Sequence, residues 1–365
     1  MNESELLKRI STIEELDELA LKEARERESK LAKPPGSLGR LEDYAVQLAG
    51  ITGKVKNDLA KKRILVFAAD NGIVAENISS APRSVTAMQA VNMTKYKTGM
   101  SSMAKHFGVE VEVHDVGIAD PYTCEKVIQK RIAFGTKNIA NEDAMTRDEC
   151  VRAVEIGIEA VKKAREDGVR VIGVGEMGIG NTSTSTMVLA ALTGVRTETV
   201  TGRGGGLTDD GFARKKEILA KALSERNPDK TDVIDVISKV GGFDIAAMCG
   251  AFLGAGIYRV PAVIDGFISI VAALCAVRLN EKARNYLFTS HESFEPGYKL
   301  AAEELHIAPM FSLGMRLGEG SGCPIAFQVL EGAVAHFNDM ALFGEESDIN
   351  DDYLDEIRKG DSFSV

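Results

Sequence analysis

The sequence predicts an α/β fold: a mostly parallel sheet with helices on both faces, joined to a smaller helical domain drawn from the two chain ends. Three observations carry this. Short, continuous apolar runs rich in β-branched residues alternate with segments of helical period, the pattern of strands buried on both faces. Each run ends in glycine or polar residues, which would gather on one edge of such a sheet. The segments 1–55 and 335–365 are charged and helical in pattern, and are expected to form the small domain, leaving 56–334 as the large α/β domain.

Taken in order, residues 11–31 read as an amphipathic helix. Ser11 or Thr12 would cap it, with Glu14 or Glu15 three residues on, and Ile13, Leu16, Leu19 and Ala20 share a face. The two prolines and two glycines of KPPGSLGR (33–40) break it, and helix resumes at Leu41. Strands are expected at 63–70, 109–117, 169–175, 262–266, 285–290 and 309–314. Helices are expected at 146–166, 182–192, 208–224, 242–256, 268–279 and 323–343.

Composition excludes several classes. A net charge of −10 over 365 residues argues against binding nucleic acid by charge, while leaving room for a local basic site for one small anion. Tryptophan is absent and aromatics are 6%, so base-stacking platforms are not expected. No apolar run reaches the length of a membrane span, and MNESELLKRI lacks the apolar core of a signal peptide, so a cytoplasmic protein is expected. The five cysteines are scattered without a CxxC pair and the five histidines form no HExxH, so neither a metal site nor a cofactor is expected.

Four segments carry chemistry. GVGEMGIGNTSTST (173–186) reads as strand, glycine-rich turn and helix start, where backbone N–H groups make an anion site. It is equally a tight turn capped by Asn181 or Thr182. Gly173, Gly175 and Gly178 also fit the dinucleotide fingerprint, with Glu198 at about the required spacing of 20 residues. Against that, the charge of Glu176 would repel a pyrophosphate. TGRGGGLTDDGFARKK (201–216) lets backbone approach a ligand, with Arg203, Arg214, Lys215 and Lys216 as nearby cations or as a solvated helix face. In TSHESFEPGYKL (289–300), Ser290 and Ser293 are candidate donors to phosphate or ribose, and Ser293 is equally a helix cap. In RLGEGSG (316–322) one carboxylate, Glu319, stands alone between glycines after an apolar run and before an apolar helix. Partial desolvation there raises its pKa and makes it a better base.

An ordered set of motifs runs along about nine-tenths of the chain: KPPGSLGRLE, FAADNG, APRSVTAMQ, GTKNI, GVGEMGIGNT, TGRGGG, GGFDIAAMCG, VIDGFI, SHESFEPG and MRLGEGSG. The set resembles the nicotinate-nucleotide:dimethylbenzimidazole phosphoribosyltransferase family. The resemblance implies a Rossmann-like α/β catalytic domain, a small helical domain and a dimer. It implies transfer of the phosphoribosyl group of nicotinate mononucleotide to 5,6-dimethylbenzimidazole with inversion at the ribosyl carbon, giving α-ribazole 5′-phosphate for the cobalamin nucleotide loop. It further implies Glu319 as general base and Glu176 as a second functional carboxylate. Lys215 is implied on the phosphate, with Gly178, Gly180, Asn181, Gly202, Arg203, Gly204, Ser293 and Gly318 completing the nucleotide site.

The acceptor pocket departs from the family pattern. Asn71 stands where histidine is usual, and Ala81 and Arg83 flank the proline where Ser or an aromatic and Gln are commoner; Gln89 is kept. TGMSSMAK (98–105) replaces smaller residues, and Met88, Met93, Met100 and Met103 lie nearby as core fillers. The runner-up is therefore a phenol- or p-cresol-activating subunit of a heterodimer, forming an O-glycoside. The partners expected are small-molecule substrates and a second chain, a homodimer or that heterodimer, with neither nucleic acid nor membrane.

Overall fold

A computed structural model describes residues 1–344 together with Ser347, Ile349, Asp351 and Asp352. The rest of the expected C-terminal segment lies outside the described residues. The chain divides into two compact units. One is Met1–Glu14 with Lys61–Ala326; the other is Glu15–Ala60 with the chain from Phe327 onward.

The first unit is built on a parallel sheet of six strands among the described residues: β1 Lys62–Ala69, β2 Glu110–Gly117, β3 Val127–Gln129, β4 Val171–Met177, β5 Ala262–Ile264 and β6 Leu287–Thr289. Their order is β3-β2-β1-β4-β5-β6, and every pairing is parallel. All of β1 and β4 is buried, which explains their unbroken apolar runs. The order reverses between β1 and β4, the place where ligands collect in open α/β sheets.

The helix Phe243–Tyr258 is buried along almost its whole length and lies on helix Arg147–Glu166. Glycines allow this contact. A Cβ on Gly157 would fall 1.9 Å from the Ala247 carbonyl oxygen, and one on Gly250 would fall 1.9 Å from that of Val154. Thr146 opens the 147–166 helix with a capping box to Glu149.

In the second unit, helices Glu18–Glu28 and Arg40–Thr52 pack Ala24, Ala45 and Ala49 around Phe337, from helix Cys323–Asp339. Lys33 of KPPGSLGR is buried and paired with Glu28 at 2.8 Å and Glu42 at 2.6 Å.

Several expectations are corrected. Residues 11–31 are not one helix. The Ser11 and Thr12 hydroxyls bond back to the carbonyls of Lys8 and Arg9, so they close a helix, Glu3–Ile10, that begins at an Asn2–Glu5 capping box. The next helix is capped by Asp17, which accepts from the Ala20 N–H. Residues 1–14 belong to the first unit: Met1 pairs with Glu155 at 2.8 Å and Glu3 with Arg147 at 2.6 Å. The expected strand at 309–314 is only a bridge between Phe311 and His291. Strand β3, three residues long, is too short to show a period. Helices Val85–Thr94, Gly99–His106, Val233–Val240 and Gly297–Leu305 add to those the sequence predicts.

Candidate active site

The carboxyl ends of β1, β4, β5 and β6 and the 314–322 turn enclose a cleft of about 250 Å³ in the first unit. At one end stands Glu319. Its backbone has φ +64, and Gly318 and Gly320 on either side also have positive φ. Three left-handed residues in succession make neither helix nor strand, and they turn one side chain inward. A Cβ on Gly175 would sit 2.5 Å from the Glu319 carbonyl oxygen, so β4 must be bare there for the turn to lie against it.

Asp265, just past β5, holds this turn. It is fully buried and accepts from the Gly320 N–H at 3.0 Å and the Gly322 N–H at 2.7 Å. The Glu319 side chain is itself buried. One oxygen accepts from the Met100 N–H at 3.2 Å and the other from Gln89 Nε2 at 3.5 Å. Gln89 is oriented by Asn92, whose amide donates to the Gln89 oxygen at 2.9 Å. Burial raises the Glu319 pKa; the Met100 N–H and Thr98 hydroxyl oppose the rise, and the charge of Asp265 adds to it.

Glu176 ends β4 beside it. Its Oε1 accepts from the Glu319 N–H at 3.1 Å and its Oε2 from Asn181 Nδ2 at 2.5 Å. Burial pushes its pKa up to about 8; the Glu319 N–H works against this and Asp244 works with it. Asn181 therefore serves a carboxylate and caps nothing. The cap of helix Asn181–Thr193 is Gly180, at φ +96, without a side-chain bond. Gly173 and Gly175 lie inside β4 rather than in a strand-to-helix turn, and that overturns the dinucleotide-fingerprint alternative.

The other end of the cleft is basic. Helix Asp209–Arg226 turns Lys215 inward, 1% exposed, where its Nζ donates to Thr182 Oγ1 at 3.0 Å and the Gly202 carbonyl at 3.1 Å. Burial lowers its pKa to about 8, against the pull of Glu295. Arg214 on the same helix is exposed, and Lys216 lies over the Phe212 ring. Arg203 and Gly204 line the cleft, with the Arg203 guanidinium tied to Asp209 at 2.6 Å. Ser293 lines it too, and it does not cap helix Gly297–Leu305, whose cap is Pro296.

The four acceptor-pocket candidates separate. Ala81 and Gln89 line the main cleft, whereas Asn71 and Arg83 line a second one, where Arg83 pairs with Asp120 at 2.7 Å. Met93 and Met100 are core residues, while Met88 is exposed. Asp265, Glu295 and Arg316 join the site with no role assigned from the sequence, and Thr182, read there only as a helix cap, lines it too. The signal for Asp265 is its place directly after a strand; the others carry none.

The family model described as Phosphoribosyltransferase matches residues 13–347. Among curated relatives, the nicotinate-nucleotide–dimethylbenzimidazole phosphoribosyltransferase of Clostridium perfringens strain 13 is 50% identical over 97% of this chain and 98% of its own. That of Clostridium tetani is 46% identical over 95% and 96%. A crystal structure of the nicotinate-nucleotide–dimethylbenzimidazole phosphoribosyltransferase of Thermus thermophilus superposes with TM-score 0.84 at 34% identity, covering 90% of this chain and 98% of that one. With a six-stranded parallel sheet, paired buried carboxylates at its switch point and these relatives along nearly its whole length, the chain belongs to the nicotinate-nucleotide–dimethylbenzimidazole phosphoribosyltransferase family.

Proposed function

We propose that the protein is a pentosyltransferase that moves the phosphoribosyl group of nicotinate mononucleotide onto 5,6-dimethylbenzimidazole, releasing nicotinate and forming α-ribazole 5′-phosphate. The observation that carries this reading is a buried carboxylate, Glu319, at one end of a cleft whose other end presents Lys215 and glycine turns. That layout suits a phosphate at the basic end, a ribose against Glu176 and an aromatic acceptor against Glu319.

In the step, the bond between the ribosyl carbon and the pyridinium nitrogen breaks, and nicotinate leaves with its ring nitrogen neutral. An acceptor ring nitrogen attacks the opposite face of that carbon, which inverts it. The acceptor's N–H proton passes to a Glu319 oxygen, so the atoms balance with the two substrates alone. Positive charge builds on the ribosyl carbon, and a carboxylate close to it lowers the barrier. Glu176 fills that role as its anion, with Asn181 and the Glu319 N–H holding its two oxygens, and the positive charge developing beside it favours that ionised form over the neutral one that burial promotes. Gly178, Gly180, Gly202, Arg203, Gly204, Ser293 and Gly318 complete the nucleotide side; Ala81 and Gln89 belong to the acceptor side, with Asn71 and Arg83 in the neighbouring cleft.

The relatives named for dimethylbenzimidazole favour that base over a phenol. We read the protein as a cytoplasmic homodimer, which sedimentation of the purified chain tests. Among the described residues, no helix is long and apolar enough to cross a membrane. The deciding experiment incubates the purified protein with nicotinate mononucleotide and, separately, dimethylbenzimidazole, phenol and p-cresol. α-Ribazole 5′-phosphate is the expected product. An O-glycoside alone supports the phenol subunit, and no product from a folded protein refutes transfer.

A further inference from the structure

The basic end of the cleft contains a carboxylate that the reaction above does not use. Glu295 precedes Pro296 at the start of helix Gly297–Leu305, and its N–H donates to Ser293 Oγ at 3.4 Å. Its side chain lies across Gly202, the residue whose carbonyl accepts from Lys215. A Cβ on Gly202 would fall 1.6 Å from Glu295 Oε2, so glycine there lets the carboxyl lie in its present place. That Oε2 is buried and has no hydrogen-bond donor among the described residues.

Three groups facing the carboxyl favour its charge: Lys215, the Gly204 N–H and Arg316; burial outweighs them and raises its pKa. An orphaned buried acceptor costs about 1–3 kcal/mol, so a site that retains one is missing a donor. A ligand entering the cleft can supply that donor. The surroundings, glycine turn and buried lysine, suit a phosphate, yet a phosphate dianion would meet Glu295 as a like charge. Both fit together when a proton lies between them.

We propose that Glu295 makes this a proton-sharing phosphate site: Lys215 and the 202–204 turn hold the nucleotide's phosphate, and one proton bridges a phosphate oxygen and the Glu295 carboxyl. The proposal rests on the reading that the cleft binds a ribosyl phosphate. A phosphomonoester loses its second proton near pH 6, to order of magnitude, so at neutral pH binding takes a proton from solution. Lys215 also faces the phosphate and takes up a further fraction as its pKa of about 8 is approached. The Arg203 and Arg316 guanidiniums and the Thr182 and Ser293 hydroxyls also line the cleft around it.

Calorimetry of the full chain at neutral pH, in two buffers of different ionisation enthalpy, reads the protons taken up per nicotinate mononucleotide bound. Glu295→Gln is expected to take up about one proton fewer than the native protein, because its amide cannot share one. The same titrations with inorganic phosphate and sulfate supply a second readout, since phosphate brings a proton and sulfate does not. The native protein is expected to prefer phosphate by about tenfold at pH 8, and Glu295→Gln to lose that preference. Equal uptake and an unchanged anion ratio in the variant would overturn the proposal. Should the variant not fold, the native protein alone decides: equal binding of phosphate and sulfate overturns it. Phosphate preference without nucleotide binding supports Glu295 while refuting the nucleotide reading; nucleotide turnover with neither proton uptake nor anion preference refutes Glu295 alone.

Discussion

Burial raises the pKa of Glu319, and the Met100 N–H and Thr98 hydroxyl oppose that rise. These donors keep it ionisable, and desolvation keeps it basic. Glu319→Gln preserves the shape and removes the proton acceptor. It is expected to lower kcat by about 10²–10⁴-fold with nucleotide affinity unchanged, read from steady-state rates and a binding titration. Glu176 carries a linkage that can be measured. Its folded pKa, about 8, lies above its value in the unfolded chain, so its contribution to stability is fully present below the unfolded pKa and is lost as pH rises through about 8. The unfolding midpoint of the native protein should therefore fall between pH 5 and pH 9 by more than that of Glu176→Gln, to order of magnitude by one folded-state pKa shift. Lys215 has the opposite sign: its folded pKa is depressed, so burying the charge opposes folding at neutral pH. Lys215→Met is expected to raise stability by roughly 1–3 kcal/mol while abolishing phosphate binding, by denaturant melts and calorimetry. The sequence marked Glu319 by its isolation among glycines, but its partner Met100 is 219 residues away, a distance no local pattern spans.

Among elements, the 314–322 turn depends on a strand end elsewhere. Asp265 at the end of β5 accepts two N–H groups of the turn. Asp265→Asn turns an amide N–H₂ toward one of those donors, and the turn must shift to relieve it. Asp265 is a positioning residue, so kcat should fall by about tenfold or more with little change in the KM for nucleotide, and the pH dependence of kcat should move with the altered Glu319 environment. The crossing of helices Arg147–Glu166 and Phe243–Tyr258 is set by Gly157 and Gly250. Gly157→Ala places a methyl inside the distance of a backbone carbonyl, which a helix cannot yield locally. Overpacking there is expected to cost about 1–3 kcal/mol in a denaturant melt, or more if the helices separate. The 147–166 helix was legible from its period, and the structure adds its capping box. Helix Phe243–Tyr258 was legible only as an apolar run, because a helix buried all round has no polar face.

At the scale of the molecule, a chain of net charge −10 still builds a basic pocket, because Lys215 is folded into the cleft while its neighbours Arg214 and Lys216 stay outside. The α/β class, the long strands β1, β2 and β4 and most long helices follow from hydrophobic period, which burial on one or both faces imposes directly on residue choice. Strand β3 and the short helices were not legible, since a few residues show no period. The motif order and the polar residues after the strands pointed to the right edge of the sheet, and to Glu319, Glu176 and Lys215 on it. Tertiary structure alone decided that Asn71 and Arg83 line a separate cleft from Ala81 and Gln89, that Asn181 serves Glu176 instead of capping a helix, and that one oxygen of Glu295 lies unpartnered across Gly202. The division has a physical cause. Local pattern records which residues must be buried and where the backbone must turn, whereas hydrogen-bond partners and pKa values depend on groups brought together from distant strands, and on the water that this packing excludes.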